Sequence, residues 1–148
     1  MNGAGPIRVV VAAVDFGEST GRVLSLARSV SGALGARLHV VHVVHDLQSF
    51  VGFFMSQVSL PTLEEEIARE ARERLGALCR TCLPPGEPRE ERVLRGVPAS
   101  ALEAYVQETR AGLLVAGRHG HSKPEHAFFG STANRLLQRP PCPILVVP

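Results

Sequence analysis

The sequence predicts an α/β protein: a doubly wound, five-stranded parallel sheet with helices on both faces. Three observations predict it. Short β-branched apolar runs alternate with longer segments of helical period along the whole chain. The first run is almost wholly apolar, as suits a central strand covered on both sides. Glycine and proline punctuate the joins between segments. The chain has 148 residues, 45% of them hydrophobic and 20% charged, enough for one well-buried domain over residues 1–148 and cramped for two.

The run Ile7 to Val14 is the first strand. From Ser19 onward Val23, Leu26, Ala27, Val30 and Leu34 recur at helical spacing, and Gly35 is placed to end that helix in a left-handed turn. Arg37 to Val44 is the second strand, rich in valine and interrupted by His39 and His42. Residues 46–60 have no clean period and carry Phe50, Phe53, Phe54 and Met55, which suits a mobile apolar flap or a partner-contacting loop. In Pro61-Thr62-Leu63-Glu64-Glu65 a capping hydroxyl stands three residues ahead of a Glu; Leu63, Ile67, Ala71, Leu75, Leu78 and Cys82 then mark one face of a second helix that ends before Pro84-Pro85. Glu90 to Arg95 is mostly charged and fits an exposed edge strand. Pro98 opens a third helix carrying Ala101, Leu102, Tyr105 and Val106. Leu113 to Ala116 is a fourth strand, Ser131 to Arg139 a last helix, and Ile144 to Val147 a fifth strand after Pro140-Pro141. Right-handed crossovers between such strands give a parallel sheet whose ligands sit beyond the strands' carboxyl ends, where strand order reverses.

Composition narrows the function classes. Sixteen Lys+Arg stand against 14 Asp+Glu, and a net charge of +2 offers no basic surface for a phosphate backbone, so nucleic acid is not an expected partner. The longest apolar runs fall far short of the ~20 residues that cross a bilayer, and the amino-terminal run is too short for a signal-peptide core. No membrane association and a cytoplasmic location are expected. Three cysteines cannot all pair within one chain, and reduced thiols are the default.

The chemistry concentrates after the fourth strand, which opens into Gly117-Arg118-His119-Gly120; nine residues later Gly130-Ser131-Thr132 starts the last helix. Glycines let backbone amides approach an anion, and a helix start adds unpaired N–H groups and the positive end of a dipole. The spacing is neither a Walker loop nor a Gly-x-Gly-x-x-Gly turn. By spacing alone, the same glycines could equally end a strand, make a turn and permit close packing.

Glycine, two residues, glycine, nine residues, glycine, Ser/Thr is also the pattern of the nucleotide-binding branch of the universal stress protein family, which this chain resembles. The resemblance extends to Val11 to Asp15, Leu38 to Val44, Gly96-Val97-Pro98 and Pro141 to Val147, and so covers essentially the whole chain. It implies an adenine nucleotide α-hydrolase-like fold with strand order 3-2-1-4-5, and ATP, with AMP or ADP as alternatives, as ligand, Mg²⁺ accompanying it. By that resemblance Asp15 faces the nucleoside, Ala13 lines the same wall and the Val43 backbone meets the adenine edge. Ala116 and Gly117 flank ribose and phosphates, while Gly120, Gly130, Ser131 and Thr132 supply amides and hydroxyls to phosphate oxygens. Arg118 and Lys123 add charge. Read without the family, Asp15 is a helix-capping or turn aspartate, and Arg118 and Lys123 are solvated loop cations. The sequence departs from the family pattern at Phe16-Gly17 and at His121 to His126.

Two other constellations compete. Cys79 and Cys82 have redox spacing but fall at the end of a helix, and packing is the preferred reading, with Cys82 on the apolar face; Cys142 likewise reads as a small packed residue. His42 and His45 share one end of the sheet with His119, His121 and His126, which suggests a metal or pH-responsive site, or solvated histidines with one touching phosphate. A nucleophilic set of His119, Ser131 and Asp15 lacks a nucleophile-elbow sequence. The functional expectation is a nucleotide-binding stress-response switch in which ATP orders residues 117–130 and so alters a surface read by an unknown protein partner. Slow hydrolysis by the same fold and a nucleotide-independent interaction module are the alternatives; no general base for fast hydrolysis is recognisable. The apolar fifth strand, as an edge, predicts a homodimer through the C-terminal strand, and the resemblance points the same way.

Overall fold

The computed structural model describes residues 5–46, 60–120 and 129–148. They form five strands, β1 (Val9–Ala13), β2 (Arg37–Val44), β3 (Arg89–Arg95), β4 (Leu113–Gly117) and β5 (Ile144–Val147). The helices among them are α1 (Thr20–Leu34), α2 (Leu60–Cys82), α3 (Pro98–Thr109) and α4 (Ser131–Gln138). The strands are joined in the order β3-β2-β1-β4-β5 by parallel ladders throughout, the doubly wound arrangement that the alternation predicts. From β1 the chain winds outward through β2 to β3, then crosses back to β4 on the other side of β1. The order therefore reverses between β1 and β4, and the loops leaving their carboxyl ends diverge to open a crevice.

Each face of the sheet carries its own core because successive side chains point to opposite sides. Val10, Ala12, Leu38, Val40 and Val115 pack with Val23, Leu24 and Ala27 of α1 and Leu75 and Cys79 of α2. Val9, Val11, Val41 and Leu114 pack with Ala99, Leu102, Tyr105 and Val106 of α3 and Leu136 of α4. Leu24 and Leu75 are fully buried, each stabilising the fold by about 1.5–3 kcal/mol in transfer free energy. β1 holds Val9 to Ala12 at 1% exposure or less, as its unbroken apolar run requires. β3, mostly charged, lies at an edge and runs beside β2 from Leu38↔Arg89 to Val44↔Arg95.

The helix ends follow local chemistry. Gly35 takes φ 61° at the end of α1 and donates its N–H to the Gly32 carbonyl. Pro98 occupies the first turn of α3, where its missing N–H costs nothing. α2 begins at Leu60, so Thr62 lies inside its first turn and does not cap it; a proline is tolerated in a first turn.

Two helical faces are rotated from those predicted. In α1 Leu24 is buried while Leu26 and Leu34 are exposed, and buried Thr20 and Ser31 share the inner face. In α2 the inner stripe is Ala68, Ala71, Leu75 and Cys79, with Leu83 just beyond; Cys79 is buried and Cys82 is exposed. Cysteines three apart differ by about 300° around a helix, so the sheet covers one and leaves the other in solvent. The Phe-rich loop lies outside the described residues over 47–59, as do residues 121–128 with Lys123, His121 and His126.

Candidate functional site

A cavity of about 530 Å³ opens at the carboxyl ends of β1 and β4. Nine of the residues predicted for the site line it: Ala13, Asp15, Val43, Ala116, Gly117, Gly120, Gly130, Ser131 and Thr132. Arg118 is not among its lining residues. The backbone of Arg118 instead ties loop to sheet, donating to the Val147 carbonyl at 2.7 Å and accepting from Gly130 N–H at 2.8 Å.

The glycines have steric reasons. A Cβ on Gly130 would stand 3.1 Å from the Gly120 nitrogen and 3.3 Å from His119 Cα, so the two halves of the loop pack backbone to backbone. A Cβ on Gly117 would stand 2.6 Å from Ser19 Oγ, and one on Gly120 3.2 Å from Asp15 Oδ2. This packing brings the start of α4 to the cavity. Gly130, the N-cap, has no side chain to satisfy the first-turn amides, and Ser131 and Thr132 line the cavity beside it. Unpaired amides and the positive end of the helix dipole favour an anion at that point.

Asp15 both fixes a turn and faces the cavity. Its Oδ1 accepts from Gly17 N–H at 2.9 Å and from the Thr20 hydroxyl at 3.4 Å, which fixes the β1–α1 turn. The carboxylate also lines the cavity, with Oδ2 toward Gly120. Val43 is placed by strand period. The Val41 carbonyl accepts from Val14 N–H, the last bond between β2 and the end of β1. Two residues on, the Val43 backbone points to the same side, where β1 has already ended and the cavity begins.

Phe16, His42, His45, Glu70 and Arg74 also line the cavity. Phe16 adopts φ 63°, a left-handed conformation that costs a non-glycine residue roughly 1 kcal/mol or more. Two contacts hold it: its ring centroid is 4.4 Å from that of His42, and the Arg74 guanidinium lies 4.4 Å over it. His42 Nδ1 is 2.8 Å from the Val14 carbonyl oxygen. Burial holds the His42 imidazole below its ordinary pKa; the Val14 hydrogen bond and Asp15 oppose that, and Arg74 and His45 reinforce it. In the sequence, Phe16 showed only as a departure from the family pattern. Arg74 left a signal in the 67, 70, 71, 74 spacing of one helical face, but nothing local says that this face overhangs β1. Although His42, His45 and His119 share the cavity, no group of three or more His, Cys, Asp or Glu side chains gathers as a metal site among the described residues.

Comparison with known proteins agrees with this architecture. The model of the universal stress protein family matches residues 6–148. The universal stress protein A homolog 1 of Coxiella burnetii is 32% identical over 139 residues, covering 93% of this chain and 94% of that protein. A universal stress protein family structure from Burkholderia pseudomallei shares the fold with a TM-score of 0.71, at 24% identity over 99% of both chains. A universal stress protein solved in complex with cAMP superposes with a TM-score of 0.64, at 24% identity over 97% of this chain and 99% of that one. With a match that spans the sheet, the four described helices and the glycine loop, the chain belongs to the universal stress protein family.

Proposed function

We propose that the protein binds an adenine nucleotide, ATP in the first place, in the cavity between β1 and β4, and that occupancy alters a surface read by a protein partner in a stress response. One observation carries the reading: backbone packing of Gly130 on Gly120 brings the uncapped start of α4 to the same cavity as Asp15 and the Val43 backbone. These are the groups a nucleotide needs at its three ends. Val43 offers main-chain atoms to the base edge and Asp15 a carboxylate to ribose hydroxyls, with Ala13 and Ala116 along the wall. Gly117, Gly120, Ser131 and Thr132 offer amides and hydroxyls to phosphates, and Arg118 adds charge to that loop. Mg²⁺ would enter with the polyphosphate and be held chiefly by its oxygens. That a related fold holds cAMP supports adenine as the base. The reading includes a cytoplasmic protein that pairs with a second copy through β5.

Calorimetric titration of ATP and Mg²⁺ into nucleotide-free protein and into folded Gly130→Arg tests it. Saturable binding by the wild type, weakened at least tenfold in the variant, is expected. Absence of heat with ATP, ADP and AMP alike overturns the reading and favours a nucleotide-independent interaction module.

A further inference from the structure

Within the cavity, the stack of Arg74, Phe16 and His42 is not used by the reading above, and it belongs to the opposite side of the sheet edge from Val43. Phe16 packs against the α1 and α2 core, whereas Val43 packs against the α3 and α4 core. Its two members that can carry positive charge, Arg74 and His42, each lie 4.4 Å from the centre of the Phe16 ring. Its geometry also settles the His42 tautomer. A carbonyl oxygen only accepts, so Nδ1 must carry the hydrogen that it donates to Val14. In the neutral ring Nε2 is then a bare acceptor, and the only site at which His42 can take up a proton.

The titratable and charged groups that line the cavity with His42 come from four parts of the fold. Asp15 stands at the end of β1 and His45 at the end of β2; Glu70 and Arg74 come from α2, and His119 from the loop after β4. In the free protein burial and the Arg74 and His45 charges disfavour a second proton on His42. A polyanion at the glycine loop adds negative charge to the cavity that His42 lines, and added negative charge favours the protonated form of the imidazole.

We propose that His42 couples ligand binding to proton uptake: entry of an anionic nucleotide draws a proton onto Nε2, so the protein holds its ligand more tightly as the medium acidifies. This rests on the nucleotide reading above and adds to it a regulating input, pH. Protonated Nε2 gains a donor that can meet a phosphate or sugar oxygen, while Nδ1 keeps its bond to Val14 and the ring keeps its place on Phe16. Free His42 titrates below 6.5 and bound His42 higher; affinity is therefore lowest where both forms are neutral and rises as the pH falls through the bound value. A rise of one unit in the His42 pKa on binding corresponds to a gain in affinity of up to about tenfold at acid pH.

The test is an NMR pH titration from 5 to 8 of the histidine Cε1–H resonances, assigned with His42→Gln, in free protein and in protein saturated with ATP and Mg²⁺. The expected result is a His42 midpoint below 6.5 when free that moves up by about one unit when bound. Affinity should then be severalfold tighter at pH 5.5 than at pH 8, and His42→Gln should lose that excess over the change due to the ligand's own ionisation. An unmoved His42 midpoint while Gly120 and Gly130 amides respond to ligand overturns the proposal and leaves nucleotide binding standing. A shift confined to His45 or His119 overturns it as well. If no resonance responds to nucleotide at any pH, the binding reading falls and this inference falls with it.

Discussion

Burial sorts the three thiols. Cys79 is fully buried against the sheet, and desolvation, with the nearby Glu91 charge adding to it, pushes its thiol up to about 11, so almost none is thiolate at neutral pH. Cys82 is exposed at the end of the same helix and Cys142 is half-buried. A thiol-reactive dye at pH 8 is expected to label Cys82 first and leave Cys79 unlabelled until the protein unfolds; early labelling of Cys79 would show that α2 opens locally. The -x-x- spacing of this pair was visible in the sequence, but which cysteine faces inward was not, because a helix does not announce which side a sheet will cover. At Asp15 local and distant demands coincide. The turn it makes with Gly17 and Thr20 is legible from neighbouring residues. Its approach to Gly120 joins positions 105 apart and is not.

At the scale of elements, the two sheet edges differ in kind. β3 is lined by ion pairs: Arg95 reaches Glu65 on α2 at 2.9 Å, and Arg89 reaches Glu91 at 2.8 Å. Such charges discourage a further strand, while the exposed pairs add little stability. β5 is apolar, pairs with β4 from Leu114↔Ile144 to Gly117↔Val147, and among the described residues has no strand on its other side. An uncharged edge of this type is a template for pairing with another chain. The protein is expected to sediment at twice the chain mass at micromolar concentration, and Val146→Asp to sediment as a monomer without loss of helical signal. A wild-type monomer under those conditions would remove the dimer from the proposal. The unlike character of the two edges could be read from Glu90 to Arg95 and Ile144 to Val147 before their places in the sheet were known.

At the scale of the whole molecule, two histidines link stability to pH. His39 is 6% exposed, its Nδ1 2.9 Å from Tyr105 Oη, and its buried Nε2 has no hydrogen-bond partner among the described residues. Burial lowers the pKa of both His39 and His42 in the fold. For such groups the unfolded chain binds more protons, so stability is fully present above about 6.5 and is lost as pH falls from there through the lowered folded values. The melting temperature of ligand-free protein is expected to fall between pH 7.5 and 5, with a shallower slope in His39→Gln; a flat profile would mean that neither ring resists protonation. Acid would thus loosen the empty fold while tightening the occupied site. The sequence by itself determined the alternation of strands and helices, the buried first strand, the edge character of β3 and β5 and the glycine loop, because period, branching and turn chemistry are local properties of the chain. Which way each helix turns its apolar face, that Phe16 meets both His42 and Arg74, and that Gly130 rests on Gly120 were decided only by tertiary structure. Those contacts join residues far apart in sequence, and their geometry exists only once both faces of the sheet have been covered.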